Sequence, residues 1–511
     1  MQENTVTIFC ENTRAHVTVT TGSSLKEVKK IVFPDNHEDI LGALVNNEIQ
    51  DLHYEVYKPK SVQFITLSSL DGYSIYARSL IFVLYRAVKM LFPRKRLVVE
   101  HFISNGMFCR LLPATGVDAG AIERVRLKMR EIVGANVEIL REETLTGEAI
   151  RLFNRAGLRD KGALLSTRGK TYTSVYVLDD TRDYFYGTLV PCTGCVKVFD
   201  LVPHEGGMLL GMPDRANPGE LLPRVEQRKL FHLLGGYKKQ GKKMGLSCIG
   251  DFNRLVGEGH AGEIIKIGEA LHEKKISRVA DMIRARRGKV KVILIAGPSS
   301  SGKTTFGKRL AVQLMVNGAW PVNLSLDNYF FNREDTPCDE NGEYDFETID
   351  ALDIATFNDD LRRLSRGEEV EIPKFSFETG CRYRDGEKLR VPARGVLIIE
   401  GIHGLNPRLT AGLPRECIFK IFISALTSIS IDDHNIINPT DNRLIRRIIR
   451  DHKYRGYSAV DTLRRWESVL SGEQKHIVPY QEEADVFFNS GLAYELGALK
   501  QAAVPLLEEV P

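Results

Sequence analysis

Cysteine is scarce in this chain, eight residues in 511, and scattered without the spacing of a disulfide framework. That excludes a disulfide-stapled secreted scaffold and fits a reducing cytoplasm. The opening stretch, MQENTVTIFCENT, lacks a basic segment followed by an apolar one, so no secretory signal peptide is expected. Long hydrophobic runs are missing too. The most apolar stretch, Ser79 to Phe92, is interrupted by Arg86 and Lys89, so no bilayer-spanning segment is expected. Nor is there an excess of one charge: 70 basic against 66 acidic side chains leave +4. The overall balance therefore demands no nucleic-acid partner, and any basic surface must be local. Repeats and low-complexity tracts are absent. At 511 residues the chain is too long for one core, and about three domains are expected.

The most informative stretch is VKVILIAGPSSSGKTT, residues 290 to 305. The apolar run Val292 to Ala296 fits a buried strand. It breaks at Gly297, and Gly302, Lys303 and Thr304 complete the spacing G-x-x-x-x-G-K-[ST] before a helical pattern begins at Phe306. Each part has a chemical reason. Glycines let backbone N–H groups wrap a phosphate, Lys303 reaches the β/γ oxygens, and the Thr304 hydroxyl suits Mg²⁺. The helix that follows points its positive end at the same anion. Gly297, Pro298, Ser299, Ser300, Ser301, Gly302, Lys303, Thr304 and Thr305 are the expected nucleoside triphosphate contacts.

From Lys289 to about Leu507 strands and helices alternate, which predicts a doubly wound parallel sheet covered on both faces. Trp320 to Leu326 reads as a strand running into Asp327, and Val396 to Ile399 as a strand running into Glu400. Ligands in such folds sit beyond the carboxyl ends of the strands, so Asp327, Glu400 and the phosphate loop should converge. Two carboxylates there can divide the work, one holding Mg²⁺ and one accepting the proton of an attacking hydroxyl. In the helix DNRLIRRIIRD, Arg443, Arg446, Arg447 and Arg450 share one face, opposite Leu444, Ile445, Ile448 and Ile449. Beside a phosphate loop, that basic face is a candidate lid neutralising the charge of phosphoryl transfer.

SLDNYF, YDFETIDALD, IPKFSF and DNRLIRRIIRDHKYRG together resemble, in order and spacing, the uridine kinase and phosphoribulokinase family. The resemblance covers roughly residues 289 to 500. It implies ATP and Mg²⁺, Asp327 as general base, Asp345 on the acceptor hydroxyls and Glu400 with Thr304 at the metal. It further implies Lys303, Arg443 and Arg447 at the transferred group and Arg446 and Arg450 over the nucleotide. Tyr329, Phe375 and Arg443 would join Asp345 in the acceptor site. One departure stands out: Phe375 replaces a tyrosine, and Gly380 stands where the uridine–cytidine kinases place a histidine against the pyrimidine. The acceptor, a nucleoside or sugar-like small molecule, is therefore not fixed by the resemblance.

The front half carries two further likenesses. Residues 1–60, with VTIFC, AHVTVTTGSS and a helix from Ser24 to Ile31, resemble the β-grasp TGS module that opens threonyl-tRNA synthetases. Residues 61–220, with the helix Ser79 to Phe92 and VVEHFISNGMFCRL, resemble the α+β editing domain of those synthetases. The family's paired histidines fall on Arg78 and Phe82, and Val196 stands where a third would follow Cys192, so no aminoacyl-ester hydrolysis is expected. Residues 221–285 are expected to form a helical connector with the stripe Ile264, Ile267, Leu271 and Ile276, and 286–511 the kinase domain. Cys192 and Cys195 form a C-x-x-C with no convincing further ligands, so zinc is not expected. His403 and His434 fall near the expected kinase site without a role that spacing can assign. Arg224 to Lys243 is basic with Phe231 and Tyr237 interleaved, which leaves open a second reading: an RNA- or tRNA-binding regulator with a nucleotide-gated switch. Homo-oligomerisation also stays open.

Overall fold

The computed structural model describes residues 4–35, 39–286, 288–338, 342 and 344–510. Two compact units emerge, and neither is one continuous piece of chain. The first comprises Met1–Gln227, Gly241–Glu258 and Ile429–Ile436; the second comprises Arg228–Gln240, Gly259–Ser428 and Ile437–Pro511.

The first unit opens with a five-stranded sheet in the order Ala15–Thr20, Thr5–Cys10, Ser61–Thr66, Ile40–Val45, Glu48–Gln50. Thr5–Cys10 runs parallel to Ser61–Thr66, while the outer strands are antiparallel to their neighbours. The helix Leu25–Val32 begins at a capping box, Ser24 with Glu27, which satisfies two of its orphan amides. Leu25 and Val28 pack on Ile8, Cys10, Val62 and Phe64. This is the β-grasp arrangement, but the sheet runs past the expected boundary at residue 60. Ser61–Thr66 is its middle strand, placed there because Val62 and Phe64 alternate inward with polar neighbours.

Beyond it lies the 22-residue helix Leu70–Leu91, which starts nine positions earlier than the apolar run alone suggests because Ser69 caps it through the Gly72 amide. It packs in one apolar core with the helix Ala119–Gly134 and a four-stranded antiparallel sheet that contains Arg96–Ile103 and Gly106–Leu112. The segment Ile429–Ile436 belongs to this unit although it lies far along the chain: Val99 N–H donates to the Asp433 carbonyl at 2.7 Å and Ile249 N–H to Ser430 at 2.9 Å.

The second unit holds a five-stranded, all-parallel sheet in the order Trp320–Ser325, Gly395–Glu400, Val292–Ala296, Ile418–Ser424, Val486–Asn489. In the central strand, Ile293 and Ile295 face the helices Ala261–Ala285 and Lys303–Val316 through Ile276, Ile283, Phe306 and Leu310. Val292 and Leu294 face the other way, toward Phe357, Leu361 and Leu364 of the helix Ile354–Ser365. The doubly wound sheet is thus covered on both faces.

The stretch 221–285 is not a separate connector. Its residues are divided between the two units, and the helix Ala261–Ala285 is a layer of the second. Of the expected stripe Ile264 and Ile276 are buried, but Ile267 is 44% exposed, and the buried face continues through Val279, Ala280 and Ile283. A 25-residue helix offers several apolar stripes, and the sheet selects the one over its own face.

Candidate active site

The loop after the central strand is shaped by its glycines. Gly297 has φ 157°, and a Cβ there would lie 1.9 Å from the Ile423 carbonyl oxygen. Gly302, at φ 88°, is the N-cap of the helix Lys303–Val316. Between them Ser300 also takes a positive φ, 60°. This turns the loop so that the helix start opens toward it, the arrangement that receives phosphate. Lys303 bends back across the loop, its Nζ donating to the carbonyls of Gly297 at 3.0 Å and Pro298 at 3.2 Å. Burial pulls its ammonium below the usual lysine value, while Glu400 and Asp327 pull it back up.

Sheet register brings the carboxylates to the same edge. Ile295 pairs with Glu400, and Glu400 with Ser325, so three parallel strands end together. Glu400 accepts from Thr304 Oγ1 at 2.8 Å and from Ser325 Oγ at 3.4 Å. Burial and then the charge of Asp327 hold the Glu400 carboxyl above its usual range. Thr304 and Glu400 offer hard oxygens side by side, a donor set that fits Mg²⁺. Asp327 sits two residues past Ser325, its N–H donating to Ser325 Oγ at 3.3 Å. The Asp327 charge is felt by Lys303, Glu400 and Arg455.

The arginine-bearing helix is Pro439–Arg455, capped by Asn438 and ended by Gly456 in the left-handed region. Its arginines turn toward the loop as a single face, but two do not carry the roles expected of them. Arg443, 2% exposed, is clamped by Glu473 through bonds of 2.7 and 2.6 Å and donates to the Ser299 carbonyl at 3.2 Å. Arg446 pairs with Glu495 and donates to the Ser300 carbonyl at 3.3 Å and to Ser490 Oγ at 3.2 Å. Both guanidiniums are consumed in bracing the loop rather than free for substrate. Arg447 is bonded to Ser299 Oγ at 2.9 Å and to Asp451 at 3.2 Å, and Arg450 lies 2.7 Å from Asp451.

Asp345 Oδ1, expected at the acceptor, accepts from the amides of Glu347 at 2.9 Å and Thr348 at 3.2 Å, which fixes its turn. Tyr329 is a correction: fully buried, it donates to Asp360 at 3.1 Å and packs edge-on against Phe357, so it belongs to the core. Phe375 joins Phe330 and Phe377 in an aromatic cluster. Gly380 takes φ 74°, and a Cβ there would lie 2.7 Å from Arg333 Nε, so Arg333 fills the space a side chain would need.

Two residues escaped the sequence reading. Glu347 is buried near Arg447, at 3.9 Å, and burial holds its carboxyl above the usual range. Arg455 lies over the Phe377 ring at 3.9 Å, and burial draws its pKa down to about 10. Both stand inside the quoted motifs YDFETID and DHKYRG, which was the available signal. His403 is 1% exposed with neither ring nitrogen bonded among the described residues, and burial brings its pKa down to about 3. His434 lies in the first unit, its Nδ1 2.6 Å from Asp183.

In the first unit, the positions aligned with the synthetases' histidines are bonded or packed. Arg78 donates to the Thr188 carbonyl at 3.2 Å and packs against Gly187, while Phe82 and Val196 are fully buried. Among the described residues no group of three or more His, Cys, Asp or Glu side chains is placed to hold a metal, and no helix is long and apolar enough to cross a membrane.

Comparison with known proteins bears on both halves. Residues 292–495 match the model of the phosphoribulokinase / uridine kinase family, and this C-terminal region is a domain of that family. The N-terminal region matches threonyl-tRNA synthetases. One similar protein is the threonine–tRNA ligase of Nitrosococcus oceani, 29% identical over 200 residues, covering 39% of this chain and 30% of that one. Another is threonine–tRNA ligase 2 of Bacillus subtilis, 27% identical over 241 residues, covering 44% and 37%. This chain therefore spans about a third of the length of the curated relatives it matches. Among solved structures, one described as a possible uridine kinase from Bacillus stearothermophilus aligns at 19% identity and a TM-score of 0.26, over 39% of this chain and 89% of its own.

Proposed function

We propose that the chain is an ATP-dependent kinase that transfers the γ-phosphoryl group to a hydroxyl of a nucleoside or a related sugar-like small molecule. The observation that carries this reading is the further carboxylate, Asp327, set two residues past Ser325 where the strands carrying Ser325 and Glu400 end together. Lys303, Thr304 and Glu400 would serve any P-loop nucleotide site, but a switch without an acceptor needs no Asp327. The loop amides and Lys303 receive the triphosphate. Thr304 and Glu400 would hold Mg²⁺, which when bound neutralises phosphate charge.

Asp327 acts on the acceptor. As the hydroxyl oxygen bonds to the γ-phosphorus, its O–H bond breaks and the proton passes to the Asp327 carboxylate. The bond from the γ-phosphorus to the bridging oxygen breaks with it, and ADP leaves. Arg447 and Arg450 offset the charge spread over the moving group, while Arg443 and Arg446 keep the loop in shape. Asp345 and the aromatic cluster around Phe375 line the acceptor side.

The test is ADP release by the full chain with a panel of nucleosides, sugars and phosphorylated sugars, each run against an acceptor-free control. Stimulation by one small-molecule hydroxyl acceptor, with its phosphorylated product identified by mass, is the expected result. Stimulation by bulk tRNA alone would overturn the proposal.

A further inference from the structure

The front unit carries one chemically reactive group that phosphoryl transfer does not use. Cys192 and Cys195 bracket a single 3-10 turn, Thr193–Cys195, and their sulfurs lie 3.5 Å apart. In that geometry three residues complete a turn, so side chains at i and i+3 eclipse. The turn is held firmly. Cys195 N–H closes it on the Cys192 carbonyl at 3.2 Å, and Thr193 Oγ1 donates to the Ile132 carbonyl at 2.8 Å and accepts from Val137 N–H at 2.9 Å. Gly194 N–H donates to Asn136 Oδ1 at 3.1 Å. Both thiols are partly exposed, whereas Cys10, Cys109 and Cys248 are buried.

We propose that Cys192 and Cys195 are a redox-active dithiol that closes to an intramolecular disulfide by exchange with a low-molecular-weight disulfide. The sulfurs must approach by about 1.5 Å to reach bonding distance. Cys192 is the attacking sulfur. Its contact with the Cys195 thiol, 3.5 Å away, draws its pKa well below the ordinary thiol value, with Lys26 and Lys29 of the first helix adding positive charge. Cys195, as donor to a thiolate in a partly buried place, is pushed up. A thiolate beside its resolving thiol is the arrangement that exchange chemistry requires.

The step balances. The Cys192 thiolate bonds to one sulfur of the disulfide and releases the other as a thiolate, which takes up a proton. The Cys195 thiol then gives up its proton, bonds to Cys192 Sγ and expels the second small thiol. Starting from the Cys192 thiolate, the protein loses two electrons and the one Cys195 proton, solvent supplies the second proton, and the small disulfide is reduced to two thiols. The charge left at the helix Leu25–Val32 changes with it, since Lys29, 7% exposed, loses a nearby thiolate.

Full-length protein equilibrated in glutathione buffers poised between about −180 and −300 mV, then acid-quenched and alkylated, provides the test. The expected result is paired loss of alkylation at Cys192 and Cys195 along a single two-electron curve, with an intact mass lower by two hydrogens. Cys192→Ser and Cys195→Ser, each checked by circular dichroism for an unchanged fold, should both abolish that species. The proposal is overturned if both thiols stay alkylatable at the most oxidising poise. It is also overturned if each carries its own glutathione adduct, or if purified protein holds stoichiometric zinc that either substitution releases.

Discussion

Replacing Lys161 by methionine tests how the first unit keeps hold of a segment drawn from the middle of the other unit's sequence. Lys161 is fully buried, and its Nζ lies 2.9 Å from Asp183, 2.9 Å from Asp432 and 3.0 Å from the Tyr184 carbonyl. Burial alone would lower the ammonium's pKa, but Asp183, Asp432 and Asp160 outweigh it and hold the group above its ordinary value. Removing one partner of a buried pair costs roughly 3–5 kcal/mol because the other charge is left without compensation. Here Asp432 keeps the amides of His434 and Asn435, and Asp183 keeps His434 and the Tyr184 amide. Those remaining donors place Lys161→Met near the lower end, about 3 kcal/mol, or a melting shift of roughly 6–12 °C for a unit of this size. Because two units need not unfold together, hydrogen exchange is the better assay than one melting curve. Amides in Tyr172–Leu178 report the unit's stability, and those in 429–436 report the anchored segment. Adding Asp432→Asn should restore part of the loss by removing an unpaired charge. A change below about 1 kcal/mol, with protection of 429–436 unaltered, would refute the reasoning.

Other perturbations follow from the same structure. Lys303→Ala should abolish ATP turnover while circular dichroism stays that of the wild type, because the side chain crosses a loop and fills no core; near wild-type turnover would contradict this. Asp433 is held up to about 6 by burial and by Asp160, so it favours folding at acid pH and loses that contribution as pH rises through about 6. Asp433→Asn should therefore flatten the fall in first-unit stability between about pH 4 and 6, as read by hydrogen exchange across that range. Asp183 has the opposite sign, its pKa lowered, so its contribution disappears only on acidification below the ordinary carboxylate range. The chain should not hydrolyse mischarged tRNA, since Arg78 stays protonated and Phe82 and Val196 can neither bind metal nor move protons; release of free amino acid above background would overturn that expectation.

What the sequence disclosed was what local pattern encodes. The phosphate loop, the runs ending at Asp327 and Glu400, and the parallel sheet all follow from short motifs and strand–helix alternation. The contacts it concealed join residues far apart. Lys161 and Asp432 are 271 positions apart, and no spacing rule links them. Ile431 and Ile436, far along the chain, pack against the first unit's core. The arginine face of the lid was legible as a helical stripe, whereas the capture of Arg443 by Glu473, 30 residues on, was not. Tyr329 sits beside Asp327 in the motif, yet the 3-10 turn there sends it inward to Asp360. Periodicity could not choose among the stripes of Ala261–Ala285; the sheet face did.

The central claim is that Asp327 takes the proton of an acceptor hydroxyl during transfer of the γ-phosphoryl group. Single-turnover transfer by wild type and Asp327→Asn, at saturating ATP and acceptor, tests it most directly, with ATP affinity measured alongside. The account predicts a chemical step slower by about 10²–10⁴ with ATP affinity nearly unchanged, the usual worth of a positioned base. A variant that transfers phosphate at the wild-type rate, or that loses ATP binding while its chemical step stays intact, would contradict it.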